Sequence, residues 1–248
     1  MKRNIHVIAF ATILAGALPL LAADPETEGK WISSAALGLT LTRGNSETAL
    51  ATGNVATSKK WDQNEISLGA SATYGESKNQ DDGKTEKTTE TVHAFGQYNR
   101  LFNDRLFGYG RIDALHDDVA DIYYRFTFSP GVGYYFIKNP RMDLSAEVGP
   151  AFIYENVAGD ERGYFTLRVA ERFNYKINDR ARIWQSAEFL PQVDDWNNYI
   201  INAELGIESD LTEKLSLRSF VQDTYDNEPA PGRRSNDVKW VTAIAYKF

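Results

Sequence analysis

The sequence predicts an all-β fold, a transmembrane up-and-down antiparallel β-barrel of about twelve strands with both termini on the periplasmic side. Three observations predict it. Apolar and polar side chains alternate along many segments, which is the period of a β-strand. Short turns and longer loops alternate between these segments, and the chain ends at Phe248 on a strand with large apolar side chains at nearly every second position. An apolar outside around a polar inside is typical of a barrel that closes within a membrane.

The connections between the segments fall into two kinds. Five short ones, rich in Asn, Asp and Pro, are predicted as tight turns at residues 60–63, 103–105, 138–141, 178–180 and 210–214. Six longer ones are predicted near residues 43–47, 76–87, 117–121, 156–163, 193–197 and 226–237. Six loops and five turns join twelve strands, with the short turns periplasmic and the long loops outside the cell.

The two faces of the strands are clearest in the second half of the chain. One predicted strand places Phe126, Phe128 and Tyr134 on one face and Arg125 and Ser129 on the other. Glu171 is a misfit, since it follows the outward phase of its strand, and a bulge is the interpretation offered. In the last strand Trp240, Ile244, Tyr246 and Phe248 point outward and Lys239, Val241, Ala243, Ala245 and Lys247 inward. This strand is expected to close the barrel against the strand that starts at Trp31.

The amino terminus predicts export. Lys2 and Arg3 precede an apolar run from Ile5 to Ala23, which is the layout of a secretory signal peptide. Residues 1–23 are therefore assigned to the signal and residues 24–248 to an outer-membrane barrel. An uncleaved membrane anchor is the alternative, because the run is just long enough to span a bilayer. The expected location is the outer membrane of a Gram-negative cell.

Composition narrows the class further. Without residues 1–23 the chain has 25 basic and 34 acidic side chains, a net charge of −9, so nucleic acid is not an expected partner. No apolar run beyond the signal approaches the ~20 residues of a transmembrane helix. Tyr supplies 13 of the aromatic side chains, which suits the interfaces of a membrane. The absence of Cys excludes disulfides and lipid attachment through cysteine.

Charged residues of both signs follow the inward phase of the predicted strands. These candidate lumen-lining residues are Arg111, Asp113, Arg125, Asp143, Glu147, Arg168, Arg172, Arg182, Glu188, Glu204 and Arg218. They either pair in place and stiffen the wall or leave a narrow polar passage, because a twelve-strand lumen is intermediate between a packed interior and an open channel. No constriction loop or plug is identified from the sequence.

Catalysis has little support. His93 and His116 are the histidines beyond the signal, and neither stands at a recognisable spacing from a Ser nucleophile. The chain is therefore predicted not to be an enzyme, and no cofactor or metal is expected. Acidic residues near the predicted loops do not follow the spacing of a calcium site and are interpreted as solvated.

The first hairpin carries a resemblance to a known family. The segment from Leu37 to Thr48 contains the turn motif Gly44-Asn45-Ser46 after an alternating strand. Here the chain resembles the YdiY-like family of bacterial outer-membrane proteins (domain of unknown function 481), described as salt-induced. The resemblance implies a barrel of largely uncharacterised function, linked to salt or osmotic response, with no catalytic residues to transfer. Tyr246 and Phe248 resemble the C-terminal assembly signal of outer-membrane barrels.

These observations favour an outer-membrane barrel that is structural or forms a narrow passive channel for ions and small polar solutes. The alternatives are a lipid-modifying hydrolase of the outer membrane and a solute-binding barrel without transport. The expected partners are outer-membrane lipid and lipopolysaccharide, together with the barrel-assembly machinery through the C-terminal strand. The barrel is predicted to be a monomer.

Overall fold

Twelve antiparallel strands make up most of the described chain, and each pairs with the strands next to it in sequence. The structure is a computed structural model that describes residues 29–42, 47–78 and 85–248. The strands are β1 (Trp31–Thr42), β2 (Glu47–Trp61), β3 (Asn64–Lys78), β4 (Thr85–Leu101), β5 (Leu106–Asp117), β6 (Ile122–Lys138), β7 (Met142–Val157), β8 (Asp160–Asn178), β9 (Ala181–Pro191), β10 (Tyr199–Asp210), β11 (Leu215–Asp226) and β12 (Asn236–Lys247). The predicted closed up-and-down barrel is confirmed. Among the described residues, no helix is long and apolar enough to cross a membrane.

The two ends of the barrel differ in their connections. We call the end with the turns after β2, β4, β6, β8 and β10 the turn end, and the opposite end the loop end. All five predicted tight turns fall at the turn end, where two to four residues join the strands. Two of the predicted sequence features, the signal peptide of residues 1–23 and the Gly44-Asn45-Ser46 motif, lie outside the described residues.

One predicted loop is wrong. Residues 156–163 were expected to form a long connection, but β7 and β8 continue until only Ala158 and Gly159 remain between them. Both have positive φ, 53° and 90°, as the two central residues of a type I′ hairpin turn require. The charged segment after Gly159 pairs with β7, with Arg162 opposite Glu155. These charged side chains therefore lie on the two faces of a regular hairpin.

The two faces of the wall follow the predicted alternation. Phe126 and Phe128 are 52% and 54% exposed on the outer surface. Ser129, the residue that follows Phe128, points inward and is fully buried. Glu171 lies on the outer surface, where it accepts a hydrogen bond from Gln185 Nε2 of β9. The pairing is continuous at this point, with Ala146 and Ala187 opposite Glu171, so there is no bulge. Glu171 therefore fits on the outer surface because it is hydrogen-bonded to Gln185 and its neighbours in the ladder are small alanines.

The last strand closes the barrel as predicted. β12 pairs with β1 over four residues, from Ser34 opposite Lys247 to Leu37 opposite Ile244. Ala245 and Ala243 are buried inside, and the Tyr246 and Phe248 rings stack on the outer surface with their centroids 6.1 Å apart. A ladder of four pairs is short beside the fifteen pairs between β2 and β3. Closure satisfies backbone groups that an open edge would leave unpaired.

Candidate functional site in the lumen

Eleven charged residues were predicted to face the lumen, and the structure places all of them on the inner face of the wall. Each is buried or half-buried, because alternate residues of every strand point into the barrel. They fall into separate groups. Arg111, Asp113, Glu147, Arg168, Arg172 and Glu188 come together in mid-barrel, Arg182 and Arg218 meet near the turn end, Arg125 lies near the loop end, and Asp143 and Glu204 have neutral partners.

The mid-barrel group is centred on Arg168 of β8. Its Nη1 donates to Glu147 Oε2 at 2.7 Å, and its Nε donates to Glu188 Oε1 at 2.5 Å. The Arg168 and Glu147 side chains are each only 3% exposed. Charge-assisted hydrogen bonds of this kind are stronger than neutral ones, and a buried guanidinium needs them to offset its desolvation. Arg168 therefore ties β7, β8 and β9 together from inside.

Gln97 of β4 extends this group across the lumen. Its Oε1 accepts a hydrogen bond from Arg172 Nη2 at 2.8 Å, and its Nε2 donates to Glu147 Oε1 at the same distance. β4 and β8 are four strands apart in the barrel, so the Arg172 bond crosses the lumen. Arg111 joins the group through a hydrogen bond from its Nη1 to Gln97 Oε1 at 3.2 Å, and it donates two more to Asp113, at 2.8 and 2.6 Å. We call these residues, Gln97, Arg111, Asp113, Glu147, Arg168, Arg172 and Glu188, the belt.

Below the belt, towards the turn end, side chains fill the lumen. Arg182 and Arg218 both donate to Glu208, whose side chain is 1% exposed. Trp184 donates to Glu204 and lies over Gly206, the residue opposite it in the ladder. The ring of Phe107 covers Gly133 in the same way. Glycine leaves room for an inward ring at these two pairs, and the rings occupy space that a wider pore would leave to water.

Above the belt, towards the loop end, the lumen holds a cavity of about 300 Å³. Asp113, Arg172 and Glu188 of the belt line its base, and Arg125, Thr224 and Asp226 line its walls. Arg125 also crosses the lumen, because its Nη2 donates to Asp226 of β11 at 2.9 Å. The loop between β11 and β12 covers the cavity, and Pro229, Ala230 and Gly232 belong to its lining. The cavity is therefore bounded by charge and roofed by a loop.

Several residues of this site escaped the sequence analysis. Gln97 was not among the predicted residues because it is uncharged, although it shares the inward phase of its strand with Phe95 and Asn99. Glu155 was not among the candidates, yet it is fully buried and accepts hydrogen bonds from Arg125 and from Arg162, the latter at 2.7 Å. In the loop between β11 and β12, the Pro231-Gly232 dipeptide predicts a turn, but it does not predict that the turn bends over the lumen.

The two histidines of the described chain each have a polar partner. His93 is buried on the inner face, where its Nε2 lies 3.3 Å from Asp113 Oδ1. His116 is bonded through Nδ1 to the Tyr123 carbonyl oxygen at 2.9 Å. A lipid hydrolase that works from the outer surface needs a base there, and His93 faces the other way. Within the described ranges, no cluster of three or more His, Asp or Glu side chains could hold a metal ion.

Comparisons with known proteins agree with this architecture. The family model of DUF481, described as a protein of unknown function, matches residues 35–248. No curated protein matches the chain. Among solved structures, the NanC porin superposes with a TM-score of 0.51 at 10% identity, covering 88% of this chain and 98% of the porin. An outer-membrane channel from Pseudomonas putida F1 gives a TM-score of 0.50 at 7% identity, covering 91% and 98% of the two chains. Likenesses at such low identity show a shared barrel fold.

Proposed function

This chain belongs to the DUF481 family, and we propose that it is an outer-membrane channel protein that gives ions and small polar solutes a narrow passage. The observation that carries the proposal is the cavity inside the barrel, about 300 Å³ in volume and bounded by charged side chains. A barrel whose role is only mechanical needs no such space. The likeness in fold to a porin and to an outer-membrane channel supports the same role.

The proposed location follows from the surface of the wall. Large apolar side chains cover the outside, as with Leu37 at 73% and Trp240 at 73% exposed, and hydrocarbon is the solvent that suits them. This surface supports a location in the outer membrane. We further propose that residues 24–248 lie there as a monomer after removal of residues 1–23, with the turn end in the periplasm. Lipid and lipopolysaccharide surround it, and Tyr246 and Phe248 present the C-terminal strand to the assembly machinery. The resemblance to salt-induced proteins supports a role in salt or osmotic response.

The passage is narrow because side chains meet across it. The Arg172 to Gln97 bond and the Arg125 to Asp226 bond each join strands on different sides of the barrel. The same bonds favour a second candidate function, a barrel that binds solute or stiffens the membrane without transport. The two candidates differ in one measurable property, which is current through the lumen.

Single-channel recording in a planar bilayer tests the proposal. The expected result is small, discrete current steps that grow when Arg172→Ala removes a bond across the lumen. Arg100→Ala is the matched control, because Arg100 is exposed and bonded to Asn64 rather than across the lumen. A flat trace for both variants and for the wild type, at all voltages and salts, would reject the channel and leave the binding or structural barrel.

A hydrolase is not part of the proposal. Release of fatty acid from labelled lipid by the refolded barrel, lost on His116→Ala, would be needed to revive it. His93 faces the lumen, away from lipid, and this supports the non-enzymatic assignment.

A further inference from the structure

The loop between β11 and β12 differs from an ordinary rim loop in the direction it takes. Residues 227–235, which we call the cap loop, join two strands that are neighbours in the wall. Ala230 at its centre is only 3% exposed and lines the cavity, although loop tips are normally solvated. The cap loop therefore bends inward over the lumen instead of standing out from the rim.

Its tip is shaped by a tight turn. Arg233 N donates to the Ala230 carbonyl oxygen at 2.9 Å, with Pro231 and Gly232 between them and a φ of +81° at Gly232. Pro at the second position and a left-handed Gly at the third are the requirements of a type II turn. The turn reverses the chain above the cavity and brings the Arg233 side chain to the far side.

There Arg233 reaches the opposite wall. Its Nε donates to Asp121 Oδ2 at 2.6 Å, in the connection between β5 and β6. β5 and β11 are six strands apart in a ring of twelve, so the cap loop spans the full width of the mouth. Asp121 is itself held in place, because its carbonyl oxygen accepts a hydrogen bond from Ala158 N at 2.8 Å.

The first residues of the cap loop, Asn227 and Glu228, contact elements on their own side of the mouth. Glu228 pairs with Arg162 Nη1 of β8 at 3.3 Å, and Asn227 Nδ2 donates to the Asn197 carbonyl oxygen at 2.6 Å. The tip contact is an ion pair with both partners well exposed, 42% for Arg233 and 34% for Asp121. Exposed ion pairs are individually weak and weaken further in salt. The tip is thus held by the kind of contact that breaks and re-forms readily.

We propose that the cap loop is a gate over the lumen, latched by the Arg233–Asp121 ion pair and released when that pair is screened or broken. The gate rests on the proposed channel function, since it regulates the same passage. In the described structure the loop lies in its latched position. High ionic strength favours release, which couples passage to the salt concentration outside.

Charge reversal at the latch tests the gate in single-channel recordings of the mature chain. Asp121→Arg and Arg233→Asp should each raise the fraction of time spent in the larger conductance state about two- to fivefold, the factor that an exposed ion pair supplies. The double variant Asp121→Arg/Arg233→Asp should return to the wild-type value. Asp160→Arg is the matched control, because Asp160 is an exposed acid at the same rim, opposite Val157 in the hairpin.

Salt supplies a second arm. Raising potassium chloride from 0.1 to 1 M should increase the open fraction of the wild type, once currents are scaled to bulk conductivity. It should not increase the open fraction of either single variant, because their like charges at the latch are screened as well. A further variant replaces residues 228–234 by two glycines and should stay in the larger state at every salt concentration. Slower migration on a detergent gel after boiling identifies the variants that have folded.

The outcomes separate the gate from the channel. If the folded shortened-loop variant conducts while both single variants behave as wild type, the gate is overturned and the channel stands. If the folded shortened-loop variant carries no current, the channel function itself fails. Loss of gating in the singles with restoration in the double variant supports both.

Discussion

The two halves of the lumen use the same chemistry at different depths. Towards the turn end, arginine–carboxylate pairs are buried among rings, as with Arg182 and Glu208, and the belt closes this half with Arg168. Towards the loop end, Arg125 and Glu155 form another buried pair, but at the mouth above them Arg233 and Asp121 form the same kind of pair in contact with water. Breaking a buried pair strands a charge in a poorly hydrated site, whereas breaking an exposed pair returns two charges to water. The difference assigns rigidity to the buried pairs below the mouth and mobility to the exposed pair at the mouth.

The largest expected effect is at the centre of the belt. Arg168→Ala leaves Glu147 and Glu188 without their principal cation, and we expect the free energy of unfolding to fall by about 3–5 kcal/mol. Guanidinium unfolding in detergent, followed by tryptophan fluorescence, measures it. Arg100→Ala on the outer surface serves as control and should change stability little. A loss below about 1 kcal/mol for Arg168→Ala would show that the turn-end half is no more rigid than the mouth.

A smaller effect is expected where a ring covers a glycine. Gly206→Ala places a methyl group inside the ring of Trp184, which must move, at a cost of about 1–3 kcal/mol. Gly110→Ala is the matched control, since the added methyl group at Gly110 would have nothing within 4 Å. The same unfolding experiment compares them. Equal stability of the two variants would mean that the turn-end half is loosely packed.

At the mouth, stability should barely change. Asp121→Asn removes the charge that pairs with Arg233, and we expect a loss of less than about 1 kcal/mol in the same assay. Loss of the ion pair should change the position of the cap loop, and it should leave the strands of the barrel paired. A loss as large as that of Arg168→Ala would contradict the division between the halves.

The smallest expected effect is acid sensitivity of the latch. The hydrogen bond from Arg233 holds the pKa of Asp121 below its ordinary value of 3.8. A carboxyl group with a lowered pKa contributes its stabilisation above the ordinary value and loses it as the pH falls through the lowered one. The wild-type open fraction should therefore be constant from pH 7 to about 4 and rise below it. Asp121→Asn should lack that step, and an identical acid response in both proteins would contradict the assignment.

Much of the barrel was predictable from local pattern. Alternation along β6 assigned Phe126 outward and Ser129 inward, because the side-chain period of a strand is two wherever the strand lies in the barrel. Turn composition predicted every connection at the turn end. The hairpin at Ala158-Gly159 was missed because its left-handed residues are not the Asn-Gly or Asp-Gly pairs that usually mark such a turn.

The candidate site was predictable in part. Inward phase identified the arginines and carboxylates, but not which of them meet. Gln97 joins Arg172 although 75 residues separate them, and Arg233 joins Asp121 across 112 residues. Contacts of that separation depend on strand stagger and on the circumference of the closed wall, which single segments do not encode.

The sequence by itself determined the strands, their faces and the number that close the ring, because each depends on neighbours a few residues apart. Tertiary structure alone decided which charges cross the lumen, where the cavity remains and which loop lies over it. Those outcomes depend on closure, which brings β5 opposite β11 and allows the cap loop to reach Asp121. The alternation of side chains along each strand is a local property, whereas contacts across the lumen exist only once the twelve strands have closed into a ring.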